Sequence, residues 1–326
     1  LSSKAKGTST FQTGLDGFVM LTRMITHVRA CLVTTVIAAH TLFWGTPIHL
    51  LALVKFCAPT AAWKAACTAG LIRLVKGWIK GVLFIQDRFL NIAWDIRTTA
   101  ELSRRQWYMV TINHRSWADI PVLLKALTGR VPFPVVFAKQ QMFWVPVIGT
   151  AIWAMDYPIM KRYSRRTLAA HPEKRGIDLE TTRQSCRRYQ FRPVAIWNFI
   201  EGTRFTPAKH RRQRSPYRHL LRPKAGGLAL AMQAMEGRIT RLLDVTIAYP
   251  AGLTNFWAYL GGQVKRVTVH LREIAVPEPM LAGSYSDDHH FRKSFQAWLD
   301  QIWQEKDALL DRLLKESAAQ AKAPSE

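Results

Sequence analysis

Two short blocks carry most of the chemistry legible in this 326-residue chain. The first, Asn113-His114-Arg115-Ser116-Trp117-Ala118-Asp119, sets a histidine five residues before an aspartate. The second, Phe199-Ile200-Glu201-Gly202-Thr203-Arg204-Phe205, gathers a carboxylate, a glycine and an arginine into one tight turn. Histidine titrates closest to neutrality, so it can take and return a proton at working pH. An aspartate on one ring nitrogen would fix the tautomer and raise the basicity of the other nitrogen. The planar fork of Arg204 suits a phosphate, and Gly202 lets the backbone turn sharply. Glu201 is read either as the partner that holds Arg204 or as an acceptor for a substrate hydroxyl.

Position decides whether these groups can meet. Five residues of regular helix sweep about 500°, which would send His114 and Asp119 to different faces. The loop must therefore bend back. Ser116 and Asp119 are the expected cap of the helix that follows, with Pro121 at an early helical position. Both blocks close β-rich runs, Trp107–Ile112 and Val194–Phe199, and so lie at carboxyl ends of strands, where open sheets place their sites. Further β-rich runs fall at Leu90–Ile96, Phe133–Ala138, Val245–Tyr249 and Val267–Leu271. Helical patterns lie between and after them, at 117–128, 163–170, 177–190, 225–236 and 289–316. The alternation predicts an α/β fold: a mixed, largely parallel sheet flanked by helices and preceded by an N-terminal membrane-anchoring helical segment. The last helix carries Phe295, Leu299, Ile302, Trp303, Leu309, Leu310, Leu313 and Leu314 on one stripe.

The N-terminal part differs in kind. Ala30 to Val54 contains no Asp, Glu, Lys or Arg, a run long enough for a bilayer core, which takes about twenty apolar residues. It is too long, and too far from the first residue, for a signal peptide. Gly45 and Pro47 interrupt it where a helix would kink or break. Basic residues flank both ends, so a spanning helix and a pair dipping into one leaflet stand as equal readings. From 61 to 89 a basic, Trp-bearing amphipathic pattern suits the membrane interface. The expected organisation is a disordered 1–17, anchoring helices over 18–89, a catalytic domain over 90–317 and a disordered tail at 318–326.

Lys and Arg number 46 against 22 acids, a net charge of +24. Such a surplus implies anionic partners: nucleic acid, an anionic membrane surface or phosphorylated substrates. Lys209, Arg211, Arg212, Arg214, Arg218, Arg222 and Lys224 crowd into one acid-free stretch between Glu201 and Glu236. A membrane-tethered nucleic-acid binder is the rival reading. Against it, the basic run has only Tyr217 as an interleaved aromatic and no nucleic-acid motif is present, so no nucleic acid is expected. Cys31, Cys57, Cys67 and Cys186 lack metal-like spacing and read as buried reduced thiols; no metal is expected.

The two blocks, in this order, resemble those of the glycerolipid acyltransferase family, the 1-acyl-sn-glycerol-3-phosphate acyltransferase type. Its N-H-x4-D block falls on Asn113, His114 and Asp119. Its lysine block ahead of Pro-x-x-Gly falls on Lys139, with Pro146 and Gly149. A block ending in arginine falls on Ile159-Met160-Lys161-Arg162, with Ile for the usual Phe. The Phe-Pro-Glu-Gly-Thr-Arg-Ser block reads FIEGTRF, and Asp244-Val245-Thr246 leads DVTIAYP in place of the fourth. Together with LLRPKAGG and WLDQIWQEKD, these departures resemble the long-chain lysophospholipid and lysocardiolipin branch and its bacterial homologue.

The resemblance implies acyl transfer from acyl-CoA or acyl carrier protein to a lysophospholipid hydroxyl, with the thioester as co-substrate and no further cofactor. His114 would be the base and Asp119 its orienter. Lys139, Arg162, Glu201, Gly202, Thr203 and Arg204 would bind the acceptor. The first-choice acceptor is 1-acyl-sn-glycerol-3-phosphate; lysophosphatidylglycerol, lysocardiolipin or another lysophospholipid is the alternative. The implied location is the inner (cytoplasmic) membrane, with the catalytic domain on the cytoplasmic side and anionic lipid as a partner.

Overall fold

The structure is a computed structural model. It describes residues 4–136, 138, 139, 144, 147–157, 159, 160, 184, 186, 189, 192–252, 255–285 and 288–320. Two long helices lead, α1 (Lys4–Phe56) and α2 (Ala61–Phe89). Then come β1 (Ala93–Thr98), β2 (Tyr108–Ile112), α3 (Asp119–Leu127), β3 (Pro134–Val136), β4 (Ala138–Lys139), α4 (Ile148–Ala154) and β5 (Ile159–Met160). The chain continues with β6 (Ala195–Phe199), α5 (Pro207–Gln213), α6 (Ala225–Ala234) and β7 (Arg241–Ala248). It closes with α7 (Phe256–Leu260), β8 (Arg266–Ala275), α8 (Glu278–Ala282) and α9 (His289–Gln320).

The main sheet has the order β1-β8-β7-β2-β6-β3, and only the β7–β8 pair is antiparallel. This is the mixed, largely parallel sheet expected. All five residues of β2 are buried, as a central strand covered on both faces requires. Its neighbours set the site: Ile112 pairs with Phe199 on β6 and with Val245 on β7. The loops that follow β2 and β6 therefore leave the sheet side by side.

Helix α9 buries Phe295, Leu299, Ile302, Trp303, Leu310 and Leu313. Helix α2 buries Leu71, Ile72, Val75, Ile79, Val82 and Ile85 at helical spacing, and Thr60 caps its start by accepting from Trp63 N at 3.2 Å. Helices α1 and α2 form a close hairpin: a Cβ at Gly77 would run into the Trp44 ring. Arg29 Nε donates to the Phe89 carbonyl at 2.7 Å, and Lys55 Nζ reaches Asp156 at 2.5 Å, so α1 is tied to both the end of α2 and the segment after α4.

Val19–Phe56 is long and apolar enough to cross a membrane, and only 17% of its most apolar window is buried in the protein. Leu21, Ile25, Val28, Leu32, Phe43, Leu53 and Phe56 all face outward.

Several expectations change. Helix α1 begins at Lys4, inside the stretch expected to be disordered, and α9 runs to Gln320, three residues into the expected tail. The break at Gly45 and Pro47 does not occur. Pro47 removes one N–H from the ladder, yet the helix runs through it, held against α2 by Trp44, whose ring lies against Gly77, and by Thr41, which accepts from Trp78 Nε1 at 3.2 Å. Cys67 and Cys186 are buried, whereas Cys31 and Cys57 lie on the outer surface of α1 and just beyond it. The helix expected at 163–170 and most of that at 177–190 lie outside the described residues.

Candidate active site

The loop after β2 folds back through one carboxylate. Asp119 is fully buried. Its Oδ2 accepts from His114 Nδ1 at 2.7 Å, Arg115 N at 2.7 Å and Ser116 N at 2.9 Å. Its Oδ1 accepts from the Tyr249 hydroxyl at 2.7 Å. Aspartate thus acts backwards, on the loop that precedes it. The expected capping pair forms just ahead of α3: Ser116 Oγ accepts from Ala118 N at 3.3 Å while Asp119 reaches back to Ser116 N, although Ala118, immediately before the helix, has no side-chain bond. Asn113 pins the loop to β7 by a two-way bond, Nδ2 to the Ile247 carbonyl at 2.9 Å and Ile247 N to Oδ1 at 2.8 Å. The His114 ring packs on Phe199 with centroids 4.2 Å apart.

With Nδ1–H engaged by Asp119, Nε2 carries the lone pair. An imidazole so held can accept a proton at Nε2 and return it without turning over. Tyr249 holds the carboxylate from the other side, and burial raises the pKa of its own hydroxyl well above the ordinary value. That phenol stays a donor.

The turn after β6 uses its carboxylate differently. Glu201 is fully buried and accepts from His114 N at 2.9 Å and Leu221 N at 3.1 Å. It neither holds Arg204 nor opens to a ligand, so both sequence readings of its partner give way to a backbone clamp between the two loops. Burial pushes its pKa up to about 7, against the two N–H bonds and the nearby Arg115 and Lys306 cations. Gly202 has φ +69°, a left-handed turn that glycine adopts without strain, and Lys224 packs where a side chain would project. Phe205 N donates to the His114 carbonyl at 2.7 Å, a second tie between the loops.

The cations sit outside this frame. Arg204 is exposed, its guanidinium 5.4 Å from the centroid of Trp117. Arg115 stacks on Phe205 at 4.4 Å, so each loop lends an arginine to the other's aromatic ring. Burial lowers the pKa of Arg115, opposed by Glu201 and Asp119. Thr203 Oγ1 accepts from Lys209 Nζ at 2.7 Å. Lys139 lies on β4, which pairs in parallel with β5 in register Lys139 to Met160; its backbone thus joins the two blocks expected to supply cations. Arg162 lies outside the described residues, as does Pro146, while Gly149 is buried in α4.

An apolar cavity of about 570 Å³ opens beside the loop that follows β2. Trp117, Ile120, Val136, Ile152, Trp197 and Phe256 line it, and it runs between α3, α4 and the α1–α2 hairpin.

Beneath the site lies an arrangement that hydrophobic periodicity does not reveal. Lys306 occupies a core position of the α9 stripe and is fully buried. Its Nζ lies 2.9 Å from Asp244 Oδ1 and donates to the carbonyls of Val245 at 2.6 Å and Thr111 at 3.4 Å. Thr111 Oγ1 and Arg272 also donate to Asp244, at 2.8 Å and 3.2 Å. Burial pulls the Lys306 pKa down, with Asp244 opposing. The DVT and EKD triplets are therefore one structure. Asp307 of the same triplet accepts from Arg218 N at 2.7 Å and His219 N at 2.8 Å, lashing the basic stretch to α9.

Residues 95–250 match the family model described as Acyltransferase. The chain carries an Acyltransferase domain. Both loops and the β2–β6 pair lie inside it. Among curated proteins, 1-acyl-sn-glycerol-3-phosphate acyltransferase gamma of Mus musculus is 26% identical over 53% of this chain and 44% of its own length. For 1-acyl-sn-glycerol-3-phosphate acyltransferase 2 of Brassica oleracea the figures are 26%, 63% and 51%. The chain thus spans about half the length of these relatives. The solved structure of the 1-acyl-sn-glycerophosphate (LPA) acyltransferase PlsC from Thermotoga maritima aligns with 93% of this chain and 98% of that one, at 15% identity and a TM-score of 0.45. The acyltransferase domain of this chain places its two motif loops at the carboxyl ends of adjacent parallel strands, β2 and β6.

Proposed function

We propose that this chain transfers a fatty acyl group from a thioester, acyl-CoA or acyl carrier protein, to the sn-2 hydroxyl of 1-acyl-sn-glycerol-3-phosphate, forming phosphatidate. One observation carries the reading: a His114–Asp119 pair 2.7 Å apart sits in a loop whose Trp117 meets both an apolar cavity and the exposed Arg204 of the adjoining turn. A lysophospholipid acceptor and an acyl thioester need those three features together. The hydroxyl oxygen attacks the thioester carbonyl while His114 Nε2 takes its proton. The tetrahedral intermediate collapses with loss of the thiolate, and His114 returns the proton to sulfur. No acyl-enzyme forms and no metal or further cofactor is used.

Arg204 grips the acceptor phosphate, with Lys139 and Arg162 assisting, and the acyl chain lies in the apolar cavity. Positioning of this kind is worth several kcal/mol of barrier. The uncharged run of α1 holds the protein at the inner membrane with the domain on the cytoplasmic side. The exposed Arg211, Arg212, Arg214 and Lys224 meet anionic headgroups. Names of the curated relatives support lysophosphatidate as acceptor. The EGTRFT and DVT segments favour a second reading, remodelling of lysophosphatidylglycerol or lysocardiolipin.

Purified full-length protein in mixed micelles, given palmitoyl-CoA and each lysolipid at matched acyl chain and surface concentration, separates the two. Lysophosphatidate, a monoester with charge near −2, is expected to react faster than the singly charged diesters. The reverse order moves the protein to remodelling with the same catalytic residues, and no transfer to any acceptor contradicts acyltransfer itself.

A further inference from the structure

Trp117 lies between His114 and Asp119 in the catalytic loop and stays 51% exposed. Two independent contacts account for an indole in that place. Its ring lies under the Arg204 guanidinium, 5.4 Å from centroid to carbon, and it lines the apolar cavity beside Ile120 and Trp197. Among the described residues no carboxylate pairs with Arg204, so the stack on Trp117 is what orients that cation. The attraction is electrostatic, between the cation and the negative face of the ring, and a leucine of similar reach would not supply it.

We infer that Trp117 is a specificity-determining residue shared by two subsites. It is the platform that aims Arg204 at the acceptor phosphate and the end wall of the cavity that takes the acyl chain. The inference rests on the phosphate-binding role given to Arg204 above. Trp117 takes no part in proton transfer, so its loss leaves the chemical step intact.

The experiment compares wild type, W117F, W117L, W117A, R204K and the W117L/R204K double variant as full-length protein in mixed micelles. Each is assayed for kcat and KM with lysophosphatidate and with decanoyl- or hexadecanoyl-CoA. W117L keeps an apolar wall and loses the ring. It should raise the acceptor KM roughly three- to fivefold, in line with an exposed cation–π contact, with kcat and the chain-length ratio near wild type. W117F should restore the acceptor KM. W117A should raise it equally and also flatten the preference between the two donors. In the double variant the rise in acceptor KM should be smaller than the product of the two single effects, because the ring aims the planar fork that R204K already removes.

An unchanged acceptor KM in W117L, or effects that add in the double variant, overturns the platform. An unchanged donor ratio in W117A overturns the wall. If R204K alone leaves the acceptor KM unchanged, the phosphate role of Arg204 has failed. An R204K effect beside an unaffected W117L removes only the Trp117 inference. Cooperative thermal unfolding with a Tm near wild type certifies that each variant has folded.

Discussion

Asp119 and Glu201 are both fully buried carboxylates at the ends of neighbouring parallel strands, yet their partners differ in kind. Asp119 bonds two side chains, His114 and Tyr249, as well as two amides of its own loop. Among the described residues Glu201 bonds only backbone amides, one in the loop after β2 and one at Leu221. Partners decide the role. A carboxylate against an imidazole sets that ring's tautomer and basicity, whereas one spread over backbone N–H groups holds segments in place and adds no group that reacts. The same carboxylate group, equally buried, serves chemistry in one loop and architecture in the other.

The comparison breaks first at D119N. The amide keeps an oxygen for the loop but no longer favours the Nδ1–H tautomer, so turnover should fall by about 10² or more, as for loss of general-base function. Retained cooperative unfolding would assign the loss to the ring. More than a tenth of wild-type kcat would place Asp119 with Glu201 as a scaffold residue.

Next in size is the buried pair below the site. K306M leaves Asp244 buried without its ammonium and should cost about 3 kcal/mol, read as a lowered Tm, the low end for breaking such a pair because Arg272 and Thr111 remain. The D244L/K306M variant removes both charges and should regain most of the loss. A single variant with wild-type Tm would show that Lys306 carries no weight in holding β2 and β7 together.

Much of this arrangement was legible in the residues alone. The strands that carry the two loops stand out as apolar runs, and a histidine and an aspartate that cannot meet on a helix already require a loop that bends back. Partners remote in sequence were not legible. Lys306 falls on an apolar stripe, where periodicity reads a surface interruption; only the register of α9 against β7 brings Asp244 beneath it. Tyr249 ends a recognised block, but its aim at Asp119 depends on how β7 pairs with β2. Glu201 reads as a partner for Arg204 or for a substrate hydroxyl, yet the N–H groups of His114 and Leu221, one from another loop and one twenty residues on, take up both its oxygens. The helix does not break at Pro47 for a related reason, since packing against α2 outweighs a local propensity.

Glu201 gives the backbone clamp a pH signature. Its carboxyl titrates at about 7 in the fold against an ordinary 4.5. Between those values the folded protein holds a proton that the unfolded chain has released, so stability falls as pH rises through that window. E201Q has no such proton. Its Tm relative to wild type should therefore climb between about pH 5 and about pH 8, above a constant offset from one poorer N–H acceptor. A difference that stays flat, or falls, would contradict the raised pKa.

The smallest effect sharpens the comparison. Y249F removes one neutral-donor bond from Asp119, worth about 1 kcal/mol. It should lower kcat a few-fold with KM nearly unchanged and shift the pH–rate profile, because the change reaches substrate only through the dyad. A raised acceptor KM with unchanged kcat would instead put Tyr249 in a binding wall.

The account stands most directly on His114. In full-length protein in mixed micelles, with lysophosphatidate and palmitoyl-CoA, the measurement is kcat for H114A against wild type, with acceptor and donor KM determined in the same assay. The predicted result is a kcat lowered by about 10² to 10⁴ with both KM values within a few-fold of wild type, because the ring moves a proton and does not hold either substrate. An H114A protein that keeps more than a tenth of wild-type kcat would show that the hydroxyl proton leaves by another route.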